Sequence, residues 1–79
     1  MELLLFHADW APPSHQLKLD LSELDLPVTV VDVVADPAKA REFDVRAVPT
    51  LVLLIDGEEV RRKVGYDPEK TISHILKDI

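Results

Sequence analysis

The chain has no cysteine among its 79 residues. That excludes a disulfide, a nucleophilic thiolate and a thiolate-ligated metal. Glycine occurs only twice, which argues against a disordered polymer. No apolar run approaches the length that spans a bilayer. The opening Met1-Glu2-Leu3-Leu4-Leu5-Phe6 is too short an apolar run for a signal peptide and carries an acid where basic residues belong. A cytoplasmic location is therefore expected. Positive charge is also in deficit: nine Lys and Arg stand against fifteen Asp and Glu, a formal net charge of −6. Neither nucleic acid nor an anionic membrane favours an acidic surface, so neither is expected as a partner.

What is present reads as one small α/β domain over residues 1–79, with no linker, repeat or low-complexity stretch. Glu2 to Phe6 is an apolar run suited to a strand buried on both faces. Pro12-Pro13 favours a helix start, because proline loses no intrahelical bond in the first turn. Leu17, Leu21 and Leu24 then give that helix one apolar stripe, and Pro27 ends the segment. Val28 to Val34 is rich in β-branched residues and predicts a second strand. Asp36-Pro37 predicts an N-cap and first residue of a short helix, with Ala38, Ala40 and Phe43 available for burial. Leu51 to Ile55 is a third strand. Asp56-Gly57 predicts a hairpin into a fourth, Glu58 to Val64. Asp67-Pro68 predicts the cap of a last helix with Ile72, Ile75, Leu76 and Ile79 on one face. The order β-α-β-α-β-β-α implies parallel pairing in the strand-helix-strand unit and antiparallel pairing across the hairpin. The result is a mixed four-stranded sheet with helices on both faces.

Few side chains invite chemistry. Ser14, His15 and Asp9 could suggest a hydrolytic triad. Neighbouring helical residues diverge by about 100°, so Ser14 and His15 do not face one another and a hydrolase is not expected. His7, Asp9 and His15 could approach near one corner and hold a metal. No recognised ligand spacing supports that, and no metal or other cofactor is expected. His74 lies off the apolar face of the last helix. Arg61-Arg62-Lys63 reads as a solvated strand edge that discourages aggregation.

One segment is more specific. Phe6-His7-Ala8-Asp9-Trp10-Ala11-Pro12-Pro13-Ser14, with Ala47-Val48-Pro49-Thr50 downstream, resembles the active-site elements of the thioredoxin superfamily, in its small thioredoxin or glutaredoxin-like form. Further points of likeness are Asp36-Pro37, Asp56-Gly57 and Val64-Gly65, in the same order. The resemblance implies a thioredoxin-like fold with strand order 2-1-3-4 and a cis Val48-Pro49 bond. It implies that Ala11 and Ser14 stand where the family has the two cysteines of Cys-x-x-Cys, the attacking and the resolving thiol. It also implies a substrate groove formed by Trp10, Pro12, Pro13, Val48, Pro49, Gly65 and Tyr66. There the Val48 backbone meets an extended peptide. The family's buried Asp and Lys, a proton relay, match Leu5 and Val30 here. A protein of this family is expected to act on protein disulfides and to be reduced by a thioredoxin-reductase-like enzyme or glutathione. This chain is expected to be a redox-inactive, monomeric form of such an oxidoreductase, an engineered Cys→Ala/Ser variant. The alternative is a natural cysteine-free module that binds peptides.

Overall fold

In a computed structural model describing residues 1–79, the chain runs β1 (Glu2–His7), α1 (Pro12–Ser22), β2 (Val28–Asp32), α2 (Pro37–Glu42), β3 (Thr50–Ile55), β4 (Glu58–Val64) and α3 (Thr71–Leu76). The four strands form one sheet in the order β2-β1-β3-β4. β1 pairs parallel with β2 and antiparallel with β3; β3 pairs antiparallel with β4. At the hairpin, Asp56 and Gly57 both take positive φ, 52° and 81°. This is the conformation that matches the twist of the flanking strands.

The central strands β1 and β3 are buried and apolar from Leu3 to Phe6 and from Leu51 to Leu54, so strand periodicity divides these residues between two cores. Leu3, Leu5, Leu51 and Leu53 pack with Leu17 and Leu21 of α1 and Ile75 of α3. Leu4, Phe6, Val52 and Leu54 pack on the other face with Val31 of β2 and Ala40 of α2. Phe43 adds a tilted ring contact to Phe6, with centroids 5.6 Å apart.

Several boundaries differ from the sequence expectation. α1 ends at Ser22, so Leu24 is not on its stripe but lies in the following turn, half-buried against the first core. β2 stops at Asp32 rather than Val34, because the Asp32 carboxylate accepts hydrogen bonds from the amides of Val34 (2.8 Å) and Ala35 (3.2 Å) and turns the chain. Asp36 caps α2 as expected, accepting from the Lys39 amide at 3.1 Å, but Ala38 is exposed. α3 begins at Thr71. Asp67 closes the turn before it, accepting from the amides of Glu69 and Lys70, and Ile79 lies beyond the helix end and is exposed.

The basic run on β4 is not a free solvated edge. Arg61 donates to the carbonyls of Ile75 (3.1 Å) and Lys77, closing the C-terminal end of α3. Arg62 donates to both oxygens of Glu59 at 2.8 Å and to the carbonyl of Phe43 at 2.6 Å, tying β4 to the end of α2. The hydrogen bond from Arg62 holds the Glu59 carboxyl below its ordinary value.

Candidate functional site

The site lies where β1 runs into α1. Ala11 is the N-cap of α1, and with a methyl side chain it makes no capping hydrogen bond. The helix tolerates this because Pro12 and Pro13 have no amide hydrogens to satisfy. The amides of Ser14 and His15 both donate to the Ala11 carbonyl, at 3.0 and 3.3 Å. Ala11 is buried, while Pro12 and Pro13 are exposed.

Alternation along β1 sends Leu3, Leu5 and His7 to the face that α1 covers. His7 thereby meets the first turn of α1 with only 2% of its surface exposed. Its Nδ1 lies 2.6 Å from Ser14 Oγ and its Nε2 3.0 Å from Asp9 Oδ1. Ser14 Oγ also accepts from the Ala8 amide at 3.4 Å. The arrangement is satisfied with a neutral imidazole: Ser14 donates its hydroxyl hydrogen to Nδ1, and Nε2–H donates to Asp9. His15 packs edge-on against the His7 ring, with centroids 4.9 Å apart, and places its Nε2 2.7 Å from the Asp9 carbonyl oxygen.

This chain of Ser14, His7 and Asp9 has the connectivity of a hydrolytic triad, but Ser14 has no exposed surface. No substrate carbonyl can approach its oxygen, so the network is structural on this face. His7 is the functional-corner residue that the triad reading of the sequence missed, having paired Ser14 with its neighbour His15. The available signal was strand alternation, which places residue 7 on the face of residues 3 and 5.

Beside this corner lies a cavity of about 170 Å³ lined by Trp10, Val33, Val45, Arg46, Ala47 and Val48. Trp10 is 71% exposed, although it is a large aromatic side chain. The Val48-Pro49 bond is cis. Neither the amide nor the carbonyl of Val48 hydrogen-bonds within the chain, whereas the Pro49 carbonyl accepts from the Gly65 amide at 2.8 Å and anchors the loop to the end of β4. Gly65 has φ +83°, which glycine adopts freely, and an added Cβ would meet nothing within 4 Å. Trp10 and Val48 therefore share one channel. Pro49 is buried and, like Tyr66, is not among the residues that line it; Tyr66 donates its hydroxyl to the Asp20 carboxylate of α1. That hydrogen bond, with burial and the nearby negative charges of Asp20 and Asp67, pushes the Tyr66 hydroxyl up to about 12. Leu5 and Val30, at the relay positions, are paired across β1 and β2; Leu5 is buried and Val30 half open on the edge strand.

The family model for thioredoxin matches residues 2–78. The chain belongs to the thioredoxin family. It is 35% identical to a thioredoxin of Mycobacterium tuberculosis over 83 aligned residues, covering 98% of this chain and 72% of that protein. It is 37% identical to a thioredoxin of Chlamydia muridarum, covering 94% and 78%. Its fold superposes on oxidised mitochondrial thioredoxin 3 of Saccharomyces cerevisiae with a TM-score of 0.85 at 30% identity, covering 99% of this chain and 77% of that one. With no cysteine anywhere, this thioredoxin-family chain lacks the Cys-x-x-Cys motif, and disulfide exchange through its own thiols is impossible. The membership also carries the sheet order 2-1-3-4, as observed.

Proposed function

We propose that the chain is a redox-silent thioredoxin-family protein that binds extended polypeptide segments in the channel between Trp10 and the Val45–Val48 loop. The observation that carries this reading is the unpaired backbone of Val48 beside an exposed Trp10. A free amide and carbonyl on the loop that leads into β3 offer main-chain pairing to a peptide, and the apolar walls of the channel offer side-chain contact. The partner is an unfolded or extended protein segment, and no redox partner is needed for binding. Trp10 is the sole tryptophan, so its fluorescence reports occupancy directly. Carboxymethylated insulin B chain should produce a saturable change, lost in Val48→Asp. A response unchanged by that substitution would place binding elsewhere. In an insulin-reduction assay with dithiothreitol, the chain should match the protein-free blank.

Two origins bear on positions 11 and 14. Retention of Trp10, Pro13 and Val48-Pro49 around the missing dithiol supports an oxidoreductase parent with a Trp-Cys-Pro-Pro-Cys motif, altered to Ala and Ser. The close His7–Ser14 hydrogen bond supports serine as the native residue, because a thiol is a weak donor and a weak acceptor. The second observation weighs more, since it concerns position 14 itself. Ser14→Cys distinguishes them in urea denaturation. A native serine predicts a loss of about 1–2 kcal/mol; a substituted cysteine predicts no loss or a gain.

A further inference from the structure

We propose that His7, Asp9 and His15 form a binding site for a divalent transition-metal ion, with zinc as the reference ion. One ring nitrogen from each histidine and a carboxylate oxygen of Asp9 all lie within 4.8 Å of one another. Zinc at about 2.1 Å from tetrahedral ligands separates them by about 3.4 Å. The widest pair must therefore close by a little over 1 Å. The Asp9 side chain is 82% exposed and His15 is exposed, so both can make that adjustment.

The site is oriented from beneath. His7 is buried, and Ser14 grips the ring nitrogen that faces away from Asp9. Metal at His7 Nε2 requires the ring proton on Nδ1. The Ser14 oxygen then accepts from Nδ1 instead of donating to it, and the ring changes tautomer without losing a net proton. A hydrogen-bonded ring nitrogen opposite the metal is the usual device for fixing a ligating imidazole. His15 is held similarly: its Nε2–H meets the Asp9 carbonyl, which leaves Nδ1 with a lone pair. The edge-on packing of the two rings keeps both near the carboxylate before any ion arrives. Two imidazoles and one carboxylate suit zinc, nickel or copper rather than calcium or magnesium. Three protein ligands leave at least one position open at the surface, next to Trp10.

The test is calorimetric titration of the tag-free chain with zinc sulfate, paired with cobalt(II) absorption. We expect one zinc per chain and cobalt bands of a low-coordinate site. Asp9→Ala and His15→Ala, both at exposed positions that leave the core intact, should each weaken zinc at least tenfold. His74→Ala, on α3, should leave it unchanged. Nickel(II) should broaden the imidazole NMR signals of His7 and His15 and spare His74. Absence of zinc binding, affinity in the Asp9→Ala or His15→Ala variant equal to that of the unsubstituted chain, or loss on His74→Ala would each overturn the site.

Discussion

At the scale of single residues, position 14 concentrates the physical consequences of the missing thiols. Ser14 is fully buried, bonded to His7 and to the Ala8 amide, and no buried side-chain polar atom in the chain is left without a partner. Ala11 contributes only a methyl group, yet it stands at the N-terminus of α1 with no acidic residue in the first turn. The partial positive charge of that helix end is thus uncompensated and would favour a thiolate. The double change Ala11→Cys, Ser14→Cys should therefore create a redox couple. Residues three apart on a helix are neighbours, and the Ser14 amide already reaches the Ala11 carbonyl at 3.0 Å. After oxidation, thiol titration should find no free thiol. In the reduced protein, alkylation by iodoacetamide should show a midpoint for the first cysteine below the ordinary thiol value of about 8.5. Two titratable thiols after oxidation would mean that the corner does not hold the sulfurs in bonding geometry. With Leu5 and Val30 in place of charged residues, turnover is expected to be slow even when the disulfide forms.

At the scale of elements, cross-links between strands and helices are made by side chains whose partners lie far away in sequence. Tyr66, just past β4, donates to Asp20 on α1, and its hydroxyl is pushed up to about 12 first by that hydrogen bond. The folded state therefore holds the phenolic proton more tightly than the unfolded chain does. The contribution to stability is fully present below about 10, the unfolded value, and is lost as pH rises through about 12. Because Tyr66 is the sole tyrosine, near-ultraviolet phenolate absorbance isolates its titration. The midpoint should fall toward the ordinary value in Asp20→Asn. No movement would mean that Asp20 does not set it. Such links also mark what could be read from the sequence. The seven elements and their order were legible, since apolar runs, Asp36-Pro37 and Asp56-Gly57 each act locally. Helix and strand ends were less so: Asp32 stops β2 through its own carboxylate, and no periodicity announces that. Arg61 and Arg62 read as solvent-facing because their carbonyl partners, at Ile75, Lys77 and Phe43, come near only when the sheet is built. Motif alone singled out Ala11, Trp10 and Val48, of which Trp10 and Val48 line one cavity, whereas the pairing of His7 with Ser14 needed the β1–α1 packing.

At the scale of the whole molecule, the sheet separates two cores of unequal cover. One face lies under both α1 and α3; the other is covered by the six-residue α2 with Phe43, Val33 and Val45 at its margin. The better-covered face also seats α1, and hence the corner with Ala11, Ser14 and His7. A domain of this size has a total stability of roughly 4–12 kcal/mol, so a single buried leucine is a large share of it. Leu53 and Leu54 are adjacent on β3 yet point to opposite cores, Leu53 fully buried and Leu54 8% exposed. Leu53→Ala opens a cavity between α1, α3 and the sheet, where three packed elements resist collapse. It should cost about 3–5 kcal/mol, the upper part of the range for such truncations. Leu54→Ala faces the thinner layer, where solvent and a short helix can adjust, and should cost about 2–3 kcal/mol. Urea denaturation followed by far-ultraviolet circular dichroism gives both values. Because α1 rests on the first core, Leu53→Ala should also speed amide hydrogen exchange at Ser14 and His15, while Leu54→Ala should leave those amides at the wild-type rate relative to global unfolding. Equal costs, or loosening of Ser14 by Leu54→Ala, would show that the two faces are one cooperative core rather than two layers of different strength.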